Sequence, residues 1–439
     1  MGKNINVVFG SFPDFSSNAK PLYEYMKKRY RSSMNFSWVV RTDEAYYSLK
    51  KSGINVYKFD TDEYYNYIKS VDVIFSTHGD FINDKPEGAL YIELWHGIGS
   101  KKIGFLSDNL SEFDSLWYST LKRKIDYVIV PSDFWRVVFA GLFNIEYARV
   151  LSLGFPKINS FSDKKCVSKL NNVLNIDVTK FKKVIYYMPT YRNGCNRSDS
   201  SINFDNIFFA ERYDECLLID YLRKNNYLLC IKKHPSEELN FPNIISNNIK
   251  LITEDMLNKA NVTVNEIMNA SDLLISDYSS LGIEYMFLNK PIIYLISDIK
   301  EYNERRGFIF NNYEFWMPGF HVSNINELIN SIDNSFNNEV VKSDNYLEKK
   351  KLWFDDLCDG GCENICNFLF DGNRISSRVK YYVDYEEKLE IENKYLKEKV
   401  SSFECELETK KKYIDSIVNS RGWRILEKMR MLKRKVFRK

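Results

Sequence analysis

Short apolar runs alternate with segments of helical spacing from the N-terminus to about residue 153. Five of these runs are "INVVFG", "FSWVV", "VDVIFST", "ALYIELWH" and "IDYVIVPS", and all but "FSWVV" end in glycine, serine, threonine or histidine. Alternation of this kind predicts a parallel sheet with helices on both of its faces. Ligands of such sheets bind at the carboxyl ends of the strands, which is where these small and polar residues cluster.

The same alternation returns after a polar stretch at residues 159–180, which we predict to be a linker. Strand-like runs with polar ends follow it, namely "KVIYYMPTYRN", "YLLCIKKHP", "IKLIT", "SDLLISDYSS" and "PIIYLIS". We therefore predict an α/β protein of GT-B-like architecture, in which two Rossmann-like domains face a cleft. The predicted domains cover residues 1–158 and 181–375.

The character of the chain changes beyond the second predicted domain. Apolar residues recur with heptad spacing between residues 382 and 417, among many glutamates and lysines, and Asn393 and Lys410 interrupt the series. We predict a helical or coiled-coil segment at residues 376–420. The heptad residues are Tyr382, Leu389, Leu396, Val400, Phe403, Leu407, Ile414 and Ile417.

Residues 421–439, "RGWRILEKMRMLKRKVFRK", carry nine lysines or arginines and a single glutamate. An apolar stripe of Ile425, Met429, Leu432 and Val436 runs through them, and Trp423 stands near their start. Basic amphipathic helices with an interfacial aromatic residue bind anionic lipid surfaces, so we predict a membrane-associating tail. The alternatives are a solvated charged tail and a helix that packs on the preceding domains.

Composition limits the possible classes of protein. The chain is 44% hydrophobic and 15% aromatic, as in globular proteins, and its formal net charge of +3 gives no reason to expect a nucleic acid partner. We expect a cytoplasmic chain, since we find neither a signal peptide nor an apolar stretch of about 18 residues. Three of the eight cysteines, in "CDGGCENIC", are spaced for one helical face. Without a fourth ligand nearby, core cysteines are favoured over a zinc site.

Two histidines stand at strand ends beside cations. His96 follows the run "LYIELW" and precedes Gly97, Gly99 and Lys101, so its ring is expected in the cleft, where it can take a proton from a hydroxyl group. His234 ends "YLLCIKKHP" and is expected to contact phosphate. A structural role is the alternative for both.

The segment "ISDYSSLGIEYMFLNKP" predicts a strand, a polar turn and a helix that begins near Ser279. Ser279 and Ser280 are expected to offer hydroxyl and backbone N–H groups to a diphosphate, although Ser279 could equally be a simple N-cap. Glu284, one turn further along, is placed to reach ribose hydroxyls. Arg192, in "MPTYRN", is expected to pair with a phosphate oxygen.

Several of these motifs occur in a fixed order along the chain: "WHGIGSKKIG", "MPTYRN", "KKHP", "SDYSS" with "NKPIIY", "EYNERRGFIF" and "MPGF". Their order and spacing resemble the CDP-glycerol glycerophosphotransferase family, which includes teichoic acid primases and polymerases and their capsule-synthesis relatives. The resemblance extends over about residues 3–369. Three motifs depart from the family pattern: "WHGIGSKK" replaces "WHGTPLKK", "PGF" replaces "PGP", and Glu284 replaces the aspartate that follows "DYSS". These changes line the expected cleft and bear on the choice of alditol and acceptor.

The resemblance implies roles for individual residues. His96 would be the general base, His234 a second catalytic residue, and Ser279 and Ser280 the ligands of the donor diphosphate. Other residues implied in donor or phosphate binding are Arg192, Lys233 and Glu284. The residues implied to line the cleft are Gly97, Lys101 and Arg306. The first domain would face the acceptor and the second would bind the nucleotide donor.

We therefore predict a transferase that moves glycerol phosphate, or a related alditol phosphate, from CDP-glycerol or CDP-ribitol to an acceptor hydroxyl with release of CMP. No metal is expected, because the basic residues of these motifs are expected to take the place of a divalent ion. The alternatives are a GT-B glycosyltransferase that uses a nucleotide sugar and a non-catalytic scaffold. The expected partners are a lipid-linked or oligomeric acceptor, an anionic membrane at the cytoplasmic side of the bacterial cell and a second copy bound through the coiled coil.

Overall fold

The computed structural model describes residues 4–190, 208, 214–232, 246–337, 339–356, 358–371 and 374–436. Residues 374–392 and 432–436 are described only as helix. Residues 1–367 form one compact unit, and residues 368–439 form a second. The predicted end of the second domain, residue 375, thus lies beyond the end of the first compact unit.

The N-terminal half of the first unit contains a parallel sheet of seven strands, in the order β3-β2-β1-β4-β5-β6-β7 among the described residues. The strands are β1 (Ile5–Phe9), β2 (Met34–Val40), β3 (Val56–Lys58), β4 (Val73–Ser76), β5 (Leu90–Glu93), β6 (Tyr127–Val130) and β7 (Val150–Ser152). The helices are α1 (Ala19–Arg29), α2 (Asp43–Lys51), α3 (Asp62–Ile68), α4 (Glu112–Lys124) and α5 (Asp133–Phe143). Strands β1, β4, β5 and β6 lie inside the sheet and carry the apolar runs that the sequence analysis identified.

The C-terminal half contains a second parallel sheet, in the order β10-β9-β8-β11-β12-β13 within the described ranges. Its strands are β8 (Lys183–Tyr187), β9 (Tyr227–Lys232), β10 (Ile249–Ile252), β11 (Leu273–Ser276), β12 (Ile292–Leu295) and β13 (Phe320–Val322). The stretch predicted as a linker contains α6 (Ile158–Phe161) and α7 (Cys166–Leu174). The remaining helices of this half are α8 (Glu215–Asn225), α9 (Glu254–Ala260), α10 (Val264–Ile267), α11 (Ser280–Tyr285), α12 (Ile299–Arg305), α13 (Tyr313–Trp316) and α14 (Ile325–Ser335).

The stretch between the two sheets is packed and not extended. Phe161, Leu170 and Val173 are buried there, and α7 packs on α9 and α10 of the C-terminal half. Burial of these side chains removes apolar surface from water, which stabilises the segment in place. The polar residues that suggested a linker lie on its outer side.

The chain returns to the N-terminal half after the second sheet. The helices that follow are α15 (Glu339–Lys342), α16 (Asp344–Trp353) and α17 (Gly361–Cys366). Trp353 of α16 is buried with its ring 6.5 Å from that of Trp135 in α5, and α17 packs on α1. Helices that follow the second sheet therefore pack against the N-terminal half, and both sheets belong to one compact unit.

The second unit contains the long helix α18 (Arg374–Val418) and the helix α19 (Arg421–Val436). The six predicted heptad residues of α18 from Leu396 to Ile417 are exposed, with Leu407 at 69% and Ile414 at 58%. In α19, Ile425 and Met429 are exposed in the same way. Helices are confirmed at the predicted places, while the coiled coil stays a prediction. Across the described residues, no helix combines the length and the apolar character that crossing a membrane requires.

Candidate active site

A cavity of about 550 Å³ lies between the two halves of the first unit. Residues from the ends of β1, β4 and β5 form one wall, and residues from the ends of β9 and β11 form part of the other. Both sheets thus direct their carboxyl ends at one space, as expected for ligand sites of parallel sheets. The wall residues used below are Phe12, Lys20, His78, His96, Lys157, Ser279, Ser280 and Glu284.

His96 reaches this cavity from the loop after β5. Its Nδ1 lies 3.2 Å from the backbone carbonyl oxygen of Thr77, in the loop after β4. A carbonyl oxygen only accepts hydrogen bonds, so the ring donates from Nδ1. The neutral imidazole then carries its lone pair on Nε2, which is the arrangement that a general base requires.

The backbone before His96 adopts an uncommon conformation. Trp95 has a positive φ of 51°, which bulky residues rarely adopt. Its side chain is buried with its ring 5.0 Å from that of Phe143. Its carbonyl oxygen accepts a hydrogen bond from Nδ2 of the Asn18 side chain. These contacts fix the turn from which His96 emerges.

A buried carboxyl group joins the two loops that carry His78 and His96. The Oε2 atom of Glu93 accepts from the Gly79 amide at 2.9 Å, and its Oε1 atom accepts from the Trp95 amide at 2.9 Å. Burial raises the pKa of Glu93 well above its ordinary value, and nearby Asp80 raises it further, while the two amides act in the opposite direction. Glu93 therefore helps to position His78 and His96 by binding the backbone of their loops.

Ser279 and Ser280 open α11 on the opposite wall. Ser279 is the N-cap residue, the alternative role that the sequence left open, and its hydroxyl oxygen accepts from the Leu281 amide at 3.4 Å. Its contact with a diphosphate stays a prediction. Buried Asp277 accepts from the Ser279 amide at 3.2 Å and from the Thr190 amide at 2.8 Å. This carboxylate fixes the start of α11 relative to the end of β8.

The loop after His96 contacts α11 directly. A Cβ atom added to Gly97 would lie 2.7 Å from the Ser280 hydroxyl oxygen and 3.0 Å from Oε1 of Glu284. Glycine permits this approach because it has no side chain. The structure thus brings together the loop of His96 and the serine pair, which the sequence placed almost 200 residues apart.

Glu284 takes part in a buried ion pair between the halves. Its Oε1 lies 2.6 Å from Nζ of Lys157, which also donates to the His96 carbonyl at 2.7 Å. Burial raises the pKa of Glu284, whereas Lys157 and the Ile98 amide lower it. A contact with ribose hydroxyls stays a prediction, but the carboxylate is already engaged in joining the halves.

A second ion cluster joins the halves beside the cavity. Glu266 of α10 accepts from Lys20 of α1 at 2.9 Å and from Lys169 of α7 at 2.6 Å. Burial alone would raise the pKa of Glu266, but the two lysines outweigh it and lower the pKa to about 2. Lys20 thereby places a positive charge in the wall of the cavity.

Two residues implied to line the cleft lie elsewhere at the junction of the halves. Lys101 pairs with Phe308 in an isolated antiparallel bridge, and its Nζ lies 3.4 Å from Oγ1 of Thr190. Arg306 caps the end of α12 and is partly buried, next to Gly307, whose carbonyl accepts from the Lys102 amide. These two residues and Gly97, the third residue implied to line the cleft, are not among the residues that line the 550 Å³ cavity.

Three predicted site residues, Arg192, Lys233 and His234, lie outside the described residues. Their predicted contacts with phosphate therefore stay predictions. In the part of the chain that the structure describes, no group of three or more histidine, cysteine, aspartate or glutamate side chains is arranged to hold a metal ion. Cys358, Cys362 and Cys366 are buried core residues.

His78, Lys157 and Glu93 were not among the site residues predicted from the sequence. His78 follows β4 in the same way that His96 follows β5, so its position at a strand end was a usable signal. Lys157 lies in a loop without a strand-end pattern, and a glutamate inside an apolar strand reveals no partner in the sequence. The remaining histidine, His321, is stacked on Tyr294 at 5.3 Å, and burial lowers its pKa, which fits a structural role.

These features define the class of protein. Two parallel sheets that face one cavity form a GT-B-like fold, as predicted. The fold is similar to that of the wall teichoic acid polymerase TagF, with a TM-score of 0.67 at 22% identity, over 87% of this chain and 90% of that one.

The family follows from the sequence itself. The profile of the CDP-glycerol:poly(glycerophosphate) glycerophosphotransferases matches residues 2–371, and the chain belongs to this family. The teichoic acid glycerol-phosphate primase of Bacillus subtilis (strain 168) is 28% identical over 344 residues, which cover 75% of this chain and 84% of the relative. The teichoic acid glycerol-phosphate transferase of Staphylococcus aureus (strain NCTC 8325 / PS 47) is 26% identical over 390 residues, or 84% and 93% of the two chains. The predicted family and the prediction of an enzyme are confirmed.

Proposed function

We propose that this enzyme transfers glycerol phosphate, or a related alditol phosphate, from a CDP-alditol to an acceptor hydroxyl group in the synthesis of a teichoic acid-like or capsular polymer. The observation that carries the proposal is the cavity in which His96 and the serine-opened start of α11 come together. Membership in the glycerophosphotransferase family and the names of the relatives support the same reaction.

In the proposed reaction, the acceptor hydroxyl attacks the β-phosphorus of the donor while its proton passes to Nε2 of His96. A new bond forms between the acceptor oxygen and phosphorus, and the bond to the α-phosphate oxygen breaks. CMP departs with that electron pair, and a phosphodiester remains. The tautomer set by the Thr77 carbonyl supports His96 as the base, because it leaves Nε2 unprotonated in the neutral ring.

The phosphates carry negative charge throughout, so the site must stabilise that charge. We infer that Ser279, Ser280 and Lys20, together with Arg192, Lys233 and His234, provide this stabilisation without a metal ion. The first three lie in the cavity wall. Addition of EDTA to purified enzyme should therefore leave turnover unchanged, and restoration of lost activity by Mg²⁺ would refute this part.

Product analysis tests the reaction itself. The enzyme is incubated with CDP-glycerol, CDP-ribitol or UDP-sugars and with a lipid-linked or oligomeric acceptor. We expect CMP and a phosphorus-containing linkage with at least one CDP-alditol. Release of UDP with formation of a glycosidic bond would instead identify a glycosyltransferase, and the absence of any turnover would favour a scaffold.

We further propose that the enzyme works at the cytoplasmic face of the cell membrane as a peripheral protein. Helix α19 exposes Trp423, Ile425 and Met429 among basic residues, which suits an anionic lipid surface. Deletion of residues 421–439 should move the protein from vesicles of anionic phospholipid to the supernatant, with turnover on a short soluble acceptor retained. Unchanged sedimentation with the vesicles would contradict the proposal.

The exposed heptad residues of α18 fit a second copy of the chain. We propose that this helix supports a homo-oligomer. Light scattering should show more than one chain per particle, and Leu407→Glu should reduce the particle to a single chain. A monomeric full-length protein would remove the proposal.

A further inference from the structure

Two imidazole rings lie against each other in the wall of the cavity. The rings of His78 and His96 are parallel to within 9°, with centroids 4.1 Å apart. His78 is half-buried and belongs to the loop after β4, and it lines the same cavity as His96. The base thus has a second titratable ring as its immediate neighbour.

Thr77 holds both rings, but with different groups. Its carbonyl oxygen is 3.2 Å from Nδ1 of His96, and its hydroxyl oxygen is 2.8 Å from Nδ1 of His78. The carbonyl can only accept, whereas the hydroxyl can also donate. When the hydroxyl donates to Nδ1 of His78, the neutral ring of His78 carries its proton on Nε2. With the hydroxyl as the donor, one residue sets opposite tautomers in the two neighbouring rings.

This arrangement is held rigidly. Thr77 is fully buried, and Glu93 binds the amides of Gly79 and Trp95, which flank the two histidines. The Phe12 ring contacts His78 edge-on at 5.7 Å. A hydrogen-bond donor that is held in place before the reaction stabilises developing charge better than one that must be ordered during it.

We propose that His78 is a second catalytic residue, which donates a hydrogen bond from Nε2 to a non-bridging oxygen of the transferred phosphate while His96 takes the acceptor proton. No proton leaves His78 in this step. The proposal rests on the proposed function, because the phosphate is that of the CDP-alditol. One ring of the stacked pair, His96, is then the general base, and the other, His78, donates a hydrogen bond to the phosphate.

The test uses a pair of variants of the full chain, assayed for CMP release from CDP-glycerol with an oligomeric acceptor. His78→Phe keeps a flat ring against His96 but has no donor, whereas His78→Gln keeps a donor and loses the ring. Loss of one such donor typically lowers kcat by about 10²–10³. We expect His78→Phe to lose about 100-fold or more in kcat at a nearly unchanged KM, and His78→Gln to retain more turnover than His78→Phe. Turnover of His78→Phe close to wild type would overturn the proposal, as would a His78→Gln variant less active than His78→Phe.

Thr77 provides an independent arm of the test. Thr77→Val removes the hydroxyl beside His78 and keeps the carbonyl beside His96, and Thr77→Ser restores the hydroxyl. We expect kcat to fall about 10-fold in Thr77→Val and to recover in Thr77→Ser, since the hydroxyl contributes one hydrogen bond. Equal turnover of the two variants would overturn the proposal even if His78→Phe failed to fold. Absence of CMP release by the wild-type enzyme with every CDP-alditol would instead remove the proposed function, and the role of His78 with it.

Discussion

The two halves of the catalytic unit follow the same architectural plan but hold their parts of the site by different means. In the N-terminal half, two neighbouring strand-end loops are tied together by Glu93 and Thr77, and each loop carries a histidine. In the C-terminal half, Asp277 binds the Ser279 amide at the start of a six-residue helix. The first half therefore positions the proposed base, and the second presents hydroxyl and amide groups to the proposed phosphates.

This difference between the halves shows which contacts determine the geometry of the reaction. Each half fixes its own groups through buried carboxyl groups, but the distance between base and phosphate depends on contacts between the halves. Those contacts are the Lys157–Glu284 ion pair, the cluster around Glu266 and the approach of Gly97 to Ser280. Substitutions within one half should change the rate of the chemical step. Substitutions of contacts between the halves should change the alignment of the reacting groups or the free energy of unfolding.

The largest effect is expected at the base. His96→Asn removes the proton acceptor and should lower kcat by about 10²–10⁴, the usual contribution of general base catalysis. CMP release from a CDP-alditol measures this loss. The unfolding temperature should stay near that of the wild type, because the ring is exposed in the cavity. Near-normal turnover would remove His96 from the role of base.

Among the contacts between the halves, the Lys157–Glu284 ion pair should make the largest contribution to the free energy of unfolding. Glu284→Gln leaves the ammonium group of Lys157 buried without a counter-charge, at 5% side-chain exposure. Breaking a buried pair in this way typically costs about 3–5 kcal/mol in the free energy of unfolding. Urea unfolding curves measure the change.

A matched control for Glu284→Gln is available on the surface. Asp220 pairs with Arg223 at 3.1 Å, and both side chains are more than two-thirds exposed. Asp220→Asn should change the free energy of unfolding by less than about 1 kcal/mol. Equal effects of the two substitutions would show that burial of the Lys157–Glu284 pair does not determine its contribution.

Much of the fold was predictable because the inner strands of each sheet are buried on both faces and read as continuous apolar runs. The strands that the sequence analysis missed are β3, β7 and β13, each of three residues and each at an edge of its sheet. Such short strands leave almost no pattern. The packing of α7 also escaped notice, although Cys166, Leu170 and Val173 have helical spacing, because the residues on both sides of this helix are polar.

The site was predictable in part, for a related reason. Residues that follow a strand, such as His96 and Ser279, are placed by the sheet, and their meeting at one edge follows from the architecture. Lys157, Glu266 and Lys20 act through partners that lie far away in the sequence. A single sequence gives no sign of such pairs, since charge complementarity between halves appears only once both halves are folded.

Alignment between the halves can be disturbed without removing any functional group. Gly97→Ala would place a methyl group 2.7 Å from the Ser280 hydroxyl oxygen and 3.1 Å from the Ser280 Cβ atom, so the Ser280 side chain, the loop or α11 must shift. A displacement of about 1 Å can cost about 100-fold in turnover, and we expect a loss of that order in kcat/KM.

Gly99→Ala is the matched control for that substitution. Its methyl group would lie 3.6 Å from the Ser280 Cβ atom, which is an ordinary contact. We expect kcat/KM within about threefold of the wild type, because no atom has to move. If both glycine variants lost the same activity, close approach to Ser280 would not be the cause.

The smallest expected effect concerns acid sensitivity and separates the second ion cluster from the first. The pKa of Glu266 is about 2 in the folded protein, against an ordinary value of 4.5, because Lys20 and Lys169 overcome the cost of burial. Its carboxylate therefore stabilises the folded state fully above about pH 4.5, and this contribution is lost as the pH falls towards 2.

Glu266→Gln should lower the free energy of unfolding by about 2 kcal/mol near pH 6, a value reduced for the remaining solvent contact of the side chain. The difference between wild type and variant, measured by urea unfolding, should shrink to about half or less near pH 3, because the unfolded wild-type chain then binds the proton that the folded chain still excludes. A difference that is the same at both pH values would show that the cluster stabilises the junction by packing and not by charge.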